Sequence, residues 1–218
     1  MDYSFNGQAI VSGNLMLPIV GAGTADLFFA EPDAAIEAGQ VGQLVTLGTG
    51  RLMTVVDAGS DGGYVRARLV SGRGKLDTQL APLTYNDEIA SRIATSSITE
   101  AGETVGAGWE QLDIYCARWT RTGTLREALE RLCRLTDALH WRFAEDGSIV
   151  LVNETWPDVT ENVDVFLPTQ SHERCAAWWP TSGATAPGHS IEVYGTDRHL
   201  LRVEYDWQDE DVIVKAWY

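Results

Sequence analysis

Residues 51–70 read RLMTVVDAGSDGGYVRARLV, and this stretch decides the fold class. Arg51–Ala58 is an apolar run, Ser60-Asp61-Gly62-Gly63 is a tight-turn signal, and Tyr64–Val70 alternates strictly. Arg66 and Arg68 fall on one face of the second run, and Val65, Ala67 and Leu69 fall on the other. A period of two marks a half-buried strand, and adjacent glycines supply the positive φ that short hairpin turns require. The stretch is a β-hairpin with arginines on its outer face.

Outward from the hairpin, the first 85 residues repeat the same grammar. Ala9–Val11 and Asn14–Leu17 flank Ser12-Gly13, which reads as a break between two strands. Thr24–Ala30 is another apolar run, and Gln43–Leu47 alternates before Gly48-Thr49-Gly50. Short strands at this spacing predict a small or split β-barrel. The pattern changes after residue 85. Residues 86–102 read as a short helix capped by Asn86 or Asp87, with Ile89, Ala90, Ile93 and Ala94 on one stripe and Gly102 at its end. Leu112–Trp119 alternates as a strand.

Thr124-Leu125-Arg126-Glu127 is a capping box. Behind it, Leu125, Ala128, Leu129, Leu132, Cys133, Leu135 and Leu139 form an apolar stripe that predicts a helix to about Leu139. Trp141 and Phe143 open a strand, Asp146-Gly147 turns it, and Ile149–Val152 returns. From Trp156 the chain reverts to strands: Val163–Leu167, Ile191–Tyr194, Leu200–Tyr205 and Asp211–Trp217. The fold class is therefore α+β, mainly β. Its expected parts are a β-barrel-like domain over 1–85, a helical insert with a helix–hairpin unit over 86–156, and a C-terminal antiparallel β region over 157–218.

The 218 residues carry 31 acidic and 16 basic side chains, a net charge of −15. The excess grows along the chain: 8 acids against 5 bases over 1–85, 12 against 7 over 86–156, and 11 against 4 over 157–218. Such a field repels phosphate backbones, so gripping of nucleic acid is disfavoured. Cys116, Cys133 and Cys175 are an odd number with no CxxC, which fits reduced thiols rather than a disulfide framework. The start Met1-Asp2-Tyr3-Ser4-Phe5 lacks a basic leader, and Leu15–Val20 is too short for a membrane span.

No catalytic constellation is complete by spacing. Gly74-Lys75 lacks both the earlier glycine of a phosphate loop, Leu69 standing there, and the following Ser or Thr, Leu76 standing there. His172 and Cys175 make half of a zinc site with no second close pair. Ser190 follows His189 without a nucleophile elbow. Cys133 lies on the apolar helix stripe, where a thiol is a small buried residue. Asp209-Glu210-Asp211 reads as a solvated turn. The expectation is no enzyme, no metal and no cofactor.

The order of pieces carries a resemblance. Gly13–Gly21, then Ala25-Asp26-Leu27, then the glycine-separated strands to Arg66–Gly72, resemble the opening β domain of tail-hub and baseplate proteins of long-tailed bacteriophages. Leu83-Thr84-Tyr85 leading into Ile89–Ala94 resembles the passage from that domain into the hub's helical inserts, and Thr124–Val152 fits its helix followed by a hairpin. The resemblance covers roughly residues 10–155. It implies a virion protein of the tail or baseplate, made in the host cytoplasm. That protein would form a ring of copies of itself, a trimer, joining the tail tube to the tip. Its partners would be other tail and tip proteins, with DNA passing without specific binding and no membrane insertion. The expected interface residues are Arg66, Arg68, Trp178 and Trp179. Two other readings stay open on the residues alone. One is a carbohydrate- or protein-binding β module with an aromatic patch at Trp178 or Trp179, and the other is a hydrolase using a pair of carboxylates.

Overall fold

The computed structural model describes residues 3–30, 36–46, 48–153, 175–179, 185–193, 195–208 and 211–218. Seven strands come first: β1 (Ser4–Phe5), β2 (Gln8–Ala9), β3 (Ser12–Pro18), β4 (Thr24–Ala30), β5 (Val41–Thr46), β6 (Thr49–Asp61) and β7 (Tyr64–Ser71). The middle of the chain holds β8 (Leu83–Ile89), helix α1 (Ala90–Ala101), β9 (Thr104–Val105), β10 (Tyr115–Arg121), helix α2 (Leu125–Cys133), β11 (Leu139–Phe143) and β12 (Ser148–Asn153). The last described strands are β13 (Cys175–Trp178), β14 (Ser190–Val193), β15 (Thr196–His199), β16 (Arg202–Gln208) and β17 (Asp211–Trp217). The fold is α+β and mainly β, as the periodicities predict.

One antiparallel sheet runs β13-β17-β16-β3-β4-β7-β6-β5-β1-β2. The hairpin read from residues 51–70 sits inside it: Asp61 pairs with Tyr64 across Gly62-Gly63, both at positive φ. Alternation decides what is buried. Ala67, Leu69, Leu27, Leu15, Val203, Val214 and Trp207 point inward, each no more than 1% exposed, and build the first core. Tyr3 stacks on Trp207 with ring centroids 5.8 Å apart, so residues before β1 reach across this core to β16. The sheet thus wraps around its own apolar face.

Two features of this sheet differ from the reading of the sequence. The C-terminal strands extend the N-terminal sheet: β16 pairs with β3 along seven residues, from Arg202 opposite Pro18 to Gln208 opposite Ser12. The alternation of β3, with Leu15 and Leu17 inward, matches that of Val203, Tyr205 and Trp207, so both strands bury the same face. The second feature is Gly13, which lies inside β3 rather than in a turn. A Cβ there would stand 2.4 Å from the Asp26 carbonyl oxygen of the neighbouring strand, so only glycine permits that approach. The expected strand Val163–Leu167 lies outside the described residues.

The second core lies between α1, α2, β11 and β12, with Ile93, Ile98, Leu129, Leu132, Trp141 and Ile149 buried in it. The capping box is realised on both sides: Glu127 donates its backbone N–H to Thr124 Oγ1 at 3.3 Å, and Thr124 donates its own to Glu127 Oε2 at 2.8 Å. Asp146-Gly147 closes the β11–β12 hairpin, with Phe143 opposite Ile149. Helix α2 stops at Cys133, short of the expected Leu139, because Leu139 is taken into β11 opposite Asn153.

The expected helix over 86–102 begins at Ala90. Asn86 and Asp87 belong to β8, which forms a two-stranded ribbon with β10. No side chain caps α1. Its first donors go instead to the chain before β10: Ala90 N–H to the Ile114 carbonyl at 2.9 Å, and Ser91 N–H to the Leu112 carbonyl at 3.2 Å. Tertiary acceptors replace a local cap, because a buried helix start must place its donors somewhere. Gly102 ends the helix in the left-handed conformation, as read.

Candidate functional site

The four residues expected at an interface fall in different environments. Arg66 and Arg68 stand on the outer face of β7 and both bind Asp26 on β4, at 3.2 and 3.1 Å. The carboxylate of Asp26, hydrogen-bonded to Arg68, holds that guanidinium charged above its ordinary range. The arginines are thus tied to their own sheet as a short ladder of charge. Trp178 is 1% exposed within the first core, while Trp179, next along the chain, is 57% exposed. An aromatic patch made of both rings is not formed: alternation sends Trp178 inward and leaves Trp179 outside.

Other exposed apolar side chains include Tyr64 at the hairpin end, Leu83 and Tyr115 on the β8–β10 ribbon, and Leu201 before β16. Among the described residues each ribbon strand pairs on one side only. Its free edges and the outer face of the large sheet are the surfaces on which another chain can add contacts.

The catalytic candidates do not assemble. Among the described residues no three His, Cys, Asp or Glu side chains group as a metal site, and His172 lies outside those residues. Ser190 Oγ does meet His199 Nδ1 at 2.9 Å, but across the β14–β15 pair, with Ser190 only 1% exposed. A buried hydroxyl in a cross-strand bond presents no oxygen to a substrate. Desolvation raises the Cys133 thiol to about 11, the opposite of an activated nucleophile. Asp211 opens β17, and Asp209 and Glu210 are outside the described residues. Among the described residues no helix is long and apolar enough to cross a membrane.

The most elaborate polar construction lies at the seam between the two cores. Ser71-Gly72-Arg73-Gly74-Lys75, whose Gly74-Lys75 does not meet the spacing of a phosphate loop, turns two backbone donors onto one carboxylate. Gly72 and Gly74 both take φ of 71°, and the Arg73 and Lys75 amides donate to Glu103 Oε2 and Oε1 at 3.0 and 2.6 Å. The anion is a side chain of the second core, in a concavity formed by successive N–H groups. The hairpin β11–β12 adds further ties. Gly21 donates to the Trp141 carbonyl at 2.9 Å, Leu52 to the Glu145 carbonyl at 2.8 Å, and Arg142 Nη1 to the Pro187 carbonyl at 2.7 Å. Beside these ties lies a cavity of about 240 Å³ lined by Leu17, Arg51, Arg142, Phe143, Glu145 and Pro187, among others. A second, of about 280 Å³, lies between α2 and β11 beside Cys133 and His140.

Sequence reading missed Glu103, Arg51 and Arg142, because nothing local to each marks it as a partner of a distant segment. The spacing of Gly72 and Gly74 was the available signal: alternate glycines in a loop orient successive N–H groups to one side.

No protein-family model matches the chain, and no curated protein matches its sequence. Its fold, by contrast, recurs in solved structures. The 43 kDa tail protein of prophage MuSo2 from Shewanella oneidensis superposes with a TM-score of 0.71 at 12% identity, over 96% of this chain and 94% of that one. A tail protein from Neisseria meningitidis does so at 0.68 and 11% identity, over 98% and 96%. An E. coli protein superposes at 0.70 and 12% identity, over 99% of this chain and 76% of that one. It is described as a component of the type VI secretion system with structural similarity to T4 bacteriophage tail proteins. Across nearly its whole length, this chain has the fold of these solved structures.

Proposed function

We propose that the protein is a structural component of a phage tail tip or baseplate hub. Copies of it close into a ring, a trimer, that joins the tail tube to the tip and lets DNA pass. The observation that carries this reading is coverage: the fold matches tail proteins over more than nine-tenths of both chains. A fold shared at this identity supports an architecture, and the role follows from what that architecture offers.

The mechanism is geometric. A ring needs one surface of a subunit to meet a different surface of the next, and closure satisfies every such contact. The outer sheet face around Arg66, Arg68 and Asp26, the exposed Trp179 and the edges of the β8–β10 ribbon are the candidate contact elements. The expected boundaries near 85 and 156 bracket the helix-bearing unit, which is tied to the sheet along the seam and offers a second contact surface beside it. Net charge of −15 keeps a DNA conduit from binding its cargo. The chain is read as non-enzymatic, located in the virion tail, with other tail and tip proteins as partners.

Light scattering at several concentrations and salt levels tests the ring, and mass spectrometry of purified virions tests the location. A stable trimer present in virions supports the reading. A strict monomer, even when mixed with co-purified tail components, together with absence from virions, overturns it. The E. coli neighbour favours one alternative, a part of a secretion apparatus built on the same fold. It is distinguished by recovery from a cell-envelope assembly instead of from virions.

A further inference from the structure

The cavity at the seam holds more positive charge than the described residues lining it balance: two arginines against the one carboxylate of Glu145. Arg51 on β6 and Arg142 on β11 both line it. The Arg51 side chain is only 13% exposed. A guanidinium carries five N–H donors and no acceptor. Arg51 directs Nη1 to the Phe143 carbonyl at 3.4 Å and stands 3.9 Å from the half-exposed carboxylate of Glu145. Arg142 gives Nη1 to the Pro187 carbonyl at 2.7 Å. Among the described residues the remaining donors of both have no protein acceptor. Burial lowers both arginines below the ordinary range. For Arg51 the Glu145 carboxylate and Tyr205 oppose that shift and Arg142 adds to it. Partly desolvated cations are ordinarily paired, and among the described residues the ion pair here is the long one from Arg51 to Glu145.

We propose that Arg51 and Arg142 together form an oxyanion-binding site, taking inorganic phosphate or the carboxylate of an acidic side chain from another chain. The planar fork of a guanidinium matches two oxygens of either group. The size agrees: about 240 Å³ is below the roughly 300–1,000 Å³ of pockets for drug-sized ligands, and suits a small anion or one side chain. Leu17, Phe143, Val150 and Pro187 supply apolar wall for the methylenes of an acidic residue. The chain as a whole is strongly acidic, so its general field repels anions, and any retained here is held by local geometry. Because Arg51 belongs to the large sheet and Arg142 to the hairpin of the second core, a bound oxyanion ties the two together. The site stands or falls independently of the ring.

The test is a titration of the whole protein with potassium phosphate and, separately, with glutarate, against chloride at equal ionic strength. The readouts are the arginine Nε–H resonances and the thermal midpoint. The expected result is a saturable shift confined to two arginine resonances, with a rise in midpoint that chloride does not reproduce. Arg142→Gln is expected to weaken binding at least about tenfold, while Arg68→Gln on the outer sheet face leaves it unchanged. Tighter binding of phosphate than glutarate assigns a free inorganic anion as occupant, and the reverse assigns an acidic side chain. No saturable shift with either probe, or a shift that survives Arg142→Gln, overturns the proposal. Arg51→Gln also loses the bond to Phe143, so the wild-type resonances and Arg142→Gln decide the matter if that variant does not fold.

Discussion

Glu103 Oε1 accepts the backbone N–H of Lys75 at 2.6 Å, while its other oxygen accepts that of Arg73 at 3.0 Å. One carboxylate from the strand-bearing end of the second core thereby fixes the loop that leaves β7. The Glu103 side chain is 6% exposed as a residue, so these are charge-assisted bonds away from water. Gly72 is held close beneath it: an added Cβ would meet Phe143 Cε1 at 2.3 Å and Glu103 Oε2 at 2.8 Å. Glu103→Ala leaves two amides without an acceptor and is expected to cost about 2–3 kcal/mol in urea unfolding. Glu103→Gln keeps the shape and one acceptor oxygen and is expected to cost less. Equal stability of Glu103→Ala and wild type would remove this contact from the account of how the cores are joined.

Arg121 is a buried cation at 1% exposure, set among four partner residues from α1, β8 and the segment before β8. It donates to Glu100 at 2.5 Å, Ser97 at 3.2 Å, the Tyr85 hydroxyl at 3.3 Å and the Ala81 carbonyl at 3.1 and 3.3 Å. A single lysine donor group cannot reach all of these, so Arg121→Lys is expected to behave as a loss rather than a conservative change. Arg121→Met is expected to destabilise by roughly 2 kcal/mol, since it removes the bonds to buried Ser97 and to the part-buried acceptors of Tyr85, Ala81 and Glu100. Chemical denaturation of both variants measures the cost; a change under about 0.5 kcal/mol in either is inconsistent with this role.

Cys133 gives a dependence on pH with a defined sign. Burial raises its thiol to about 11 in the folded chain, against about 8.5 for an unperturbed cysteine. The neutral thiol is the form the fold favours. Its contribution is therefore fully present below the unfolded value and is lost as pH rises through about 9 to 11. Wild type is expected to lose on the order of 2 kcal/mol more than Cys133→Ala across that window. Stability of the two proteins measured side by side from pH 8 to 11 checks it, parallel curves being the contrary result. Thiol reagents at pH 8 are expected to label Cys133 only after unfolding.

Trp178 and Trp179 are adjacent in sequence and opposite in consequence. Trp178→Ala empties a site in the first core and is expected to cost about 3–5 kcal/mol. Trp179→Ala acts on a side chain that is 57% exposed and is expected to change monomer stability by under about 1 kcal/mol. If Trp179 contributes to assembly, its variant folds normally while its oligomer weakens in sedimentation. A folding defect as large as that of Trp178→Ala would place both rings in the core.

Local signals were legible where the physics is local. Thr124 and Glu127 lie three residues apart, so one turn of helix brings each side chain to the other's backbone. Asp146-Gly147 and Asp61-Gly62-Gly63 turned the chain where expected, because positive φ at glycine needs no distant partner. The strict alternation of Tyr64–Val70 placed Arg66 and Arg68 outside and Ala67 and Leu69 inside. The errors share a cause as well. Asn86 and Asp87 look like helix caps, yet pairing with β10 takes them into a strand and carbonyls of Leu112 and Ile114 cap α1 instead. Leu139 continues an apolar stripe by spacing, but cross-strand pairing with Asn153 claims it for β11.

What the sequence by itself determined is the inventory: a mainly β chain, one capped helix, its following hairpin and the faces that alternation buries. These follow from periodicity and turn chemistry, which act over a few residues. Only the tertiary structure decided that β16 pairs with β3, that Glu103 accepts the two amides of the 71–75 loop, and that Arg51 and Arg142 share a cavity. Each of these joins segments far apart in the chain. They come together because burying the apolar faces of one sheet and one helix–hairpin unit in common cores leaves these polar groups face to face at the seam.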